Sequence, residues 1–123
     1  MNESKVFESE YKFLRVLWEA EPVSSGELVR LCQEKLGWKR TTTYTVIKRL
    51  SERGIVKNEN TVVTSLKSKE EIQDTELNEL IKNRFDDSVP SFLAAFTRRQ
   101  KLSEKEIDEL QTLIDSLKKE GKS

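Results

Sequence analysis

The stretch that decides the fold is WKRTTTYTVIKRLSERG, residues 38–54. Val46, Ile47 and Leu50 recur at the spacing of one helical face, and Gly54 suits the left-handed residue that follows a helix end. Threonine is a weak helix former, so the four threonines at 41–43 and 45 cost helix stability. Their place between two pairs of basic residues indicates that they were selected for what they touch.

The apolar face of this helix sorts the threonines by role. Thr43 lies with the apolar residues and is expected to pack through its methyl group, whereas Thr41 or Thr42 could also serve as the N-cap. Basic residues near the end of a helix are also common on ordinary solvated faces. The positions expected to face outward are Thr41, Thr42, Tyr44, Thr45, Lys48 and Arg49.

Two shorter helices are predicted before this one. The first covers about Glu10–Ala20 and stops before Pro22, with an apolar stripe on one side. The second starts with Ser24 as N-cap, forms a capping box with Glu27, and ends at Gly37. Trp38 is expected to be a buried anchor between the second and third helices rather than a base-stacking residue, although its indole N–H could reach a phosphate. Lone Cys32 is expected to be a small core residue.

After Gly54 the pattern changes to that of strands. IVK, at 55–57, and TVVTSL, at 61–66, flank the turn-prone NEN at 58–60, which predicts a short β-hairpin. Three helices followed by a hairpin, with a basic third helix, are the arrangement of a winged helix-turn-helix. We assign it to residues 1–67.

Residues 68–123 are predicted to be a second domain of three helices. Capping boxes begin at Ser68 and Ser103, Pro90 suits the first turn of the middle helix, and GKS at 121–123 is expected to be a frayed tail. Helices this short cannot bury all their apolar faces alone, which predicts a dimerisation domain that packs against a second copy. The expected interface consists of Leu77, Leu80, Ile81, Phe92, Phe96, Ile107, Leu110, Leu113, Ile114 and Leu117.

Composition narrows the function. The chain has 22 basic and 22 acidic residues, yet residues 38–67 hold seven basic residues against two acidic ones. With no histidine and one cysteine, the chain lacks the usual zinc ligand sets and the Ser-His and Cys-His catalytic pairs. We therefore expect no enzyme activity, no cofactor and no metal site.

Location is also constrained by composition. No apolar run reaches the length of about 18 residues that a membrane span needs. The start, MNESKVFESE, lacks the basic and apolar regions of a signal peptide. We expect a cytoplasmic protein without membrane insertion.

The exposed threonines suit a helix lying in the major groove of DNA. A threonine hydroxyl can bond base edges or phosphates, and its methyl can pack on thymine. Lys39 and Arg40 at one end, and Lys48 and Arg49 further along, can meet guanine acceptors or phosphates. The alternative is a winged-helix adaptor that docks proteins without binding specific DNA.

These motifs resemble the penicillinase-repressor (BlaI/MecI/CopY) family of transcription regulators over about residues 8–118. The resemblance rests on three parts of the chain: the first helix, the third helix and the C-terminal segment. The residues that carry it are Glu10, Val16, Leu17, Trp18, Trp38, Thr42, Thr45, Arg49, Leu50, Arg53, Gly54, FLAAF at 92–96 and KLSEKEIDELQTLID at 101–115.

The resemblance implies a homodimeric repressor that reads a palindromic operator, with genes for β-lactam resistance among the targets known in the family. Carried over by position, Thr41, Thr42, Tyr44 and Thr45 would face bases, and Lys48, Arg49 and the hairpin residue Lys57 would face phosphates. In the β-lactam branch a membrane sensor protease inactivates the repressor by cutting an Asn-Phe bond; the matching pair here is Ala95-Phe96. Many members have Ser-Pro in place of Lys39-Arg40. The copper branch adds a cysteine cluster that this chain lacks.

Overall fold

The computed structural model describes residues 5–121, and contacts between residues divide the chain into two units, one ending at Glu79 and one starting at Leu80. Gly121 ends a helix, while Lys122 and Ser123 of the expected tail lie outside the described residues. The elements, in chain order, are α1 (Glu8–Ala20), β1 (Val23–Ser24), α2 (Ser25–Leu36), α3 (Arg40–Glu52), β2 (Val56–Glu59), β3 (Val62–Ser65), α4 (Lys69–Arg84), α5 (Val89–Arg99) and α6 (Glu104–Gly121).

Helix α1 lies with one face in the core of the first unit, where Phe13, Leu14 and Leu17 are fully buried. It begins two residues earlier than the sequence predicts. The Glu10 carboxylate accepts the Phe7 backbone N–H at 2.9 Å, and so provides a partner for a donor that the helix itself leaves free.

Helix α2 has the predicted ends but only half of the predicted capping box. The Ser24 hydroxyl oxygen accepts the Glu27 backbone N–H at 3.1 Å. The Glu27 carboxylate pairs with the Arg30 guanidinium instead of returning to the Ser24 N–H. Gly37 follows the helix with φ of 69°, in the left-handed region that glycine adopts without steric cost.

Helix α3 is anchored from both ends. Trp38 stacks parallel to Phe13 of α1 with ring centroids 6.1 Å apart. It packs against the core, but it is half-buried rather than buried, and its ring partner is on α1 rather than on α2. Gly54 follows the helix with φ of 74°, as predicted. The buried face between these ends consists of Thr43, Val46, Ile47 and Leu50.

The sheet has the order β1-β3-β2, and both pairings are antiparallel. The hairpin is confirmed, but its turn is not at 58–60: β2 continues to Glu59, and Asn60 and Thr61 form the loop with φ of 53° and 64°. Two left-handed residues give the type I′ geometry, whose twist matches that of the flanking strands. Strand β1 was not predicted, because two residues are too short to show alternation.

Polar contacts tie the end of the hairpin to α1. The Trp18 indole N–H donates to the Lys67 carbonyl at 3.0 Å. The Glu21 carboxylate accepts the Ser65 backbone N–H at 2.7 Å and its hydroxyl at 2.8 Å. Ile72, on the first turns of α4, is fully buried in the same core. These contacts fix the start of α4 within the first unit.

The remaining capping predictions are confirmed. Ser68 and Glu71 exchange hydrogen bonds at 3.1 and 3.2 Å before α4. Ser103 and Glu106 do so at 3.0 and 3.1 Å before α6. Pro90 lies in the first turn of α5. The fold is therefore the predicted one, mainly helical, with a winged helix-turn-helix followed by a helical C-terminal region.

Candidate nucleic-acid interface

The outer face of α3 presents the polar residues that the sequence predicts as DNA contacts. Thr41, Thr42, Thr45 and Lys48 are exposed, while the opposite face of the helix lies in the core. Because Leu50 is fully buried and Val46 and Ile47 nearly so, the helix is held firmly while this face stays open. Exposed side chains on a rigid helix are what a reading surface requires.

The threonine hydroxyls on this face are not equivalent. Thr45 donates its hydroxyl hydrogen to the Thr41 carbonyl at 2.9 Å, which leaves its oxygen lone pairs as acceptors. Within residues 5–121, no hydrogen bond engages the Thr41 or Thr42 hydroxyl, so each can donate or accept. In this rotamer Thr45 suits a donor on a base edge, such as the amino group of adenine or cytosine.

Tyr44 differs from its prediction as an outward residue. It is half-buried and packs against the core, because Ile47, one turn further along the same side of α3, is buried. The Arg40 guanidinium lies over its ring, 5.6 Å from the centroid. This cation–π contact orients Arg40 at the start of α3.

Thr43 is buried as predicted, against Cys32 of α2. Among the residues that the structure describes, its hydroxyl has no hydrogen-bond partner of ordinary geometry, and the Cys32 thiol, a weak partner, lies beside it. Burial raises the pKa of the Cys32 thiol, and Thr43 partly opposes that rise. Cys32 is thus the small core residue that the sequence predicts.

A buried carboxylate that the sequence analysis did not assign lies behind α3. Glu10 of α1 has no exposed surface, and both of its oxygens accept hydrogen bonds at 2.9 Å from Arg53 Nη1. Arg49 Nη2 lies 3.5 Å from Glu10 Oε2. The sequence does contain a clue, since Glu10 is in register with the apolar stripe of α1 and the two arginines are four residues apart at the end of α3.

A shallow groove of about 310 Å³ runs beside this face. It brings together residues predicted as DNA contacts with others that were not, among them Ser9 at the start of α1. Its lining consists of Ser9, Trp38, Thr41, Thr42, Thr45, Val46 and Arg49.

In the wing, which is the β2–β3 hairpin, the positive charge of Lys57 is partly neutralised by a neighbouring carboxylate. Lys57 Nζ lies 2.6 Å from Glu59 Oε2 on the same strand, and this pairing lowers the pKa of the Glu59 carboxyl. The turn that follows is attached to the start of α2, because the Ser25 backbone N–H donates a hydrogen bond to the Thr61 carbonyl at 2.8 Å.

The C-terminal unit exposes a large apolar surface. Phe92, Leu93, Phe96 and Leu102 of this unit line, with Leu110 and Leu113, an open groove of about 460 Å³. Ile81 alone among the predicted interface residues is buried within the single chain. Ala95 and Phe96 both lie inside α5, with Phe96 45% exposed. The exposed large apolar residues from α4 to α6 are Leu77, Leu80, Val89, Phe96, Ile107, Leu113, Ile114 and Leu117.

Comparison with known proteins decides the family. The family model described as Penicillinase repressor matches residues 7–116, which is most of the chain. The chain belongs to the penicillinase repressor family. This confirms the resemblance inferred from the sequence and makes the chain a transcriptional repressor.

Two curated relatives were found for this penicillinase repressor. The methicillin resistance regulatory protein MecI of Staphylococcus aureus is 23% identical over 115 residues, which cover 90% of this chain and 94% of that protein. An uncharacterized 16.5 kDa protein in the ptsI 3′ region of Latilactobacillus sakei is 34% identical over 58 residues. That second match covers 47% of this chain and only 40% of the relative's length.

In the part of this penicillinase repressor that the structure describes, no helix is both long and apolar enough to cross a membrane.

Proposed function

We propose that this repressor binds a palindromic operator as a homodimer and reads its sequence with α3. The observation that carries the proposal is the exposed face of α3, where Thr41, Thr42, Thr45 and Lys48 lie on a helix whose other face is buried. Residues 1–67 would form the DNA-binding domain and residues 68–123 the dimerisation domain. Its place of action would be the cytoplasm.

Base reading is assigned to the threonines. Thr41 and Thr42 can donate or accept, whereas Thr45, which already donates to the Thr41 carbonyl, is an acceptor with a methyl group beside it. Such a set can distinguish base pairs in the major groove by hydrogen bonding and by contact with the thymine methyl. Tyr44 is half-buried, and we assign it to a base contact through the exposed edge of its ring.

Phosphate contacts are assigned to the basic residues that border this face. Lys48 is exposed on α3, and Lys39 and Arg40 are exposed where the helix starts. Arg40 is oriented by Tyr44, and the helix N-terminus adds a positive dipole end in the same place. Arg49 and Lys57 complete the set, each with a carboxylate neighbour that reduces its freedom.

Dimerisation is assigned to the apolar faces of the C-terminal unit. Ile107, Leu113, Ile114 and Leu117 of α6 are each between 43% and 56% exposed in the single chain, an unusual state for large apolar side chains on one helix. A second copy would bury them by the same face on both chains, which gives a two-fold axis. Two recognition helices related by that axis match a palindrome with half-sites about 10 to 10.5 bp apart or a multiple of that spacing.

We further propose that genes for β-lactam resistance are among the targets and that cleavage by a membrane sensor protease relieves repression. The name of the relative MecI, a methicillin resistance regulatory protein, supports the first part. For the second part, the candidate bond Ala95-Phe96 lies inside α5, so a protease would need that helix to open locally. Full-length protein that persists after induction of a cognate sensor protease would refute the cleavage.

The experiment that tests the proposed function is a selection from fragmented DNA of the source genome. Fragments retained by the purified protein at near-physiological salt are sequenced and compared with the input. We expect an enriched palindrome upstream of the regulated genes. A folded protein that enriches no sequence, and binds DNA only at the non-specific level of about 10⁻⁴ to 10⁻⁶ M, would contradict the proposal.

A further inference from the structure

The carboxylate of Glu10 is the most deeply buried charge among the described residues. It has no exposed surface and is surrounded by donors: the Phe7 backbone N–H at 2.9 Å, Arg53 Nη1 at 2.9 Å from both oxygens, and Arg49 Nη2 at 3.5 Å. Desolvating a carboxylate is costly unless it is paired and hydrogen-bonded, as this one is. Two guanidinium groups, one in α3 and one on the residue that follows its end, are therefore held by one carboxylate of α1.

The two arginines are placed differently around this carboxylate. Arg53 is 30% exposed and also donates to the Lys5 carbonyl, so that its guanidinium is occupied in joining α3 to the chain before α1. Arg49 is 51% exposed and lines the groove that also contains Thr42 and Thr45. Of the pair, Arg49 is the one with surface left for a second anion.

The contact between the Glu10 carboxylate and Arg49 should affect how Arg49 binds a DNA phosphate. Two arginines and one glutamate leave the cluster with a net charge of +1, so it still attracts phosphate. A free arginine loses rotamer entropy when it binds, whereas one already oriented by a carboxylate loses less. The geometry of the cluster thus favours a phosphate contact by lowering its entropic cost.

We propose that Glu10 is a positioning residue for DNA binding, which orients Arg49 toward an operator phosphate while Arg53 fixes the end of α3. The inference rests on the proposed operator binding. It assigns to an acidic residue, which by charge alone would repel DNA, a favourable contribution to affinity.

The test compares Glu10→Gln with Glu8→Gln, a change that removes the same charge from an exposed position one half-turn away in α1. Glu8→Gln should leave operator affinity unchanged or slightly higher, because it only removes repulsion. Glu10→Gln should weaken operator binding by about tenfold, as expected for the loss of one charge-assisted hydrogen-bond network. Glu10→Gln that binds as tightly as the wild type, or more tightly, would overturn the proposal.

A double-mutant cycle separates positioning from loss of fold. If Glu10 acts through Arg49, then Arg49→Gln should cost much less affinity in the Glu10→Gln background than in the wild type. Equal costs in both backgrounds would overturn the proposal. Folding of each variant is checked by the near-UV circular dichroism of Trp18 and Trp38; if Glu10→Gln does not fold, the cycle is repeated with Glu10→Asp, which keeps the charge but shortens the side chain.

A measurement without DNA distinguishes failure of this inference from failure of the proposed function. In the free wild-type protein, the guanidinium N–H signals of Arg49 in NMR spectra should show hindered rotation, and Glu10→Gln should remove the hindrance. The spectra decide whether Glu10 orients Arg49 even if the wild type enriches no operator. Freely rotating Arg49 in the wild type would overturn the inference while leaving the proposed function intact.

Discussion

Single side chains on α3 separate two kinds of DNA contact that differ in their response to salt. Lys48 is exposed and is assigned to a phosphate, so Lys48→Ala should weaken binding to operator and random DNA alike. The plot of log K against log salt has a negative slope. The magnitude of this slope should decrease by about 1 for each phosphate that the variant no longer neutralises. Lys105→Ala, which changes an exposed lysine of α6, provides the control and should leave the slope unchanged.

Thr45→Val tests base reading at nearly constant shape. Valine keeps the branched side chain but lacks the hydroxyl that bonds the Thr41 carbonyl and offers an acceptor outward. We expect operator affinity to fall by a factor of about 5 to 150, the range for one base contact of about 1–3 kcal/mol, with random-DNA binding unchanged. Competition titrations of the two DNAs measure this ratio, and equal reductions on both would refute the base-reading role.

Residues of the site differ in how well the sequence predicted them. The exposed threonines and Lys48 follow directly from helical periodicity, because the buried face of α3 is strongly apolar. Glu10 was not predicted as a buried partner of Arg49 and Arg53, because its position depends on how α1 packs against α3. Tyr44 was expected to face outward, but periodicity alone does not distinguish the edge of a buried face from its outside.

At the scale of elements, the hairpin contains a residue in an unfavourable conformation. Thr61 has φ of 64°, a region that a β-branched residue rarely adopts. Thr61→Gly should stabilise the protein by up to about 1 kcal/mol, because glycine avoids the steric cost of the left-handed conformation. The greater entropy of glycine in the unfolded chain opposes this gain and limits its size. Urea unfolding measures the change.

Thr61→Ala is the matched control for that substitution. Alanine retains a Cβ in the left-handed region, so its gain should be smaller than that of glycine. A glycine variant no more stable than the alanine variant would show that the φ of Thr61 carries no cost.

The position of this turn was not predicted correctly from the sequence. The turn was placed at 58–60 because asparagine is frequent in turns, whereas the structure uses Asn60-Thr61.

The start of α6 gives a prediction that depends on pH. The Ser103 backbone N–H, and secondly its side chain, lower the pKa of the Glu106 carboxyl below its ordinary value. A carboxyl whose pKa is lowered in the folded state adds stability above its unfolded pKa, and that contribution disappears as pH falls through the lower, folded value. Ser103→Ala should raise the pKa of Glu106 only in part, because the backbone N–H remains.

An NMR titration of the Glu106 side-chain carboxyl carbon measures this pKa in both proteins. An identical Glu106 pKa in wild type and Ser103→Ala would contradict the contribution of the hydroxyl.

At the scale of the whole molecule, the sequence predicted the element order better than the assembly. The caps and the apolar period identify each helix locally, and the structure has the six helices and the hairpin in the predicted order. The apolar residues left exposed on α5 and α6 indicate that something covers them, but a single chain cannot specify the partner's orientation. The proposed dimer must therefore be tested on the assembly itself.

Ile114→Glu is the most direct test of that assembly. Ile114 is 43% exposed on the apolar face of α6, so a carboxylate there would be buried without a partner in the proposed dimer. We expect sedimentation equilibrium to show a monomer. Operator affinity should fall steeply because only one recognition helix then contacts each DNA site.

Thr112→Glu adds the same carboxylate to the opposite side of α6 and should leave the dimer intact. The first unit has its own core, in which Leu14, Leu50 and Ile72 are fully buried, so the near-UV circular dichroism of Trp18 and Trp38 should be preserved in both variants. If Ile114→Glu remains dimeric with wild-type operator affinity, the apolar face of α6 is not the interface. If Ile114→Glu is monomeric and folded yet keeps wild-type operator affinity, tight operator binding does not depend on dimerisation.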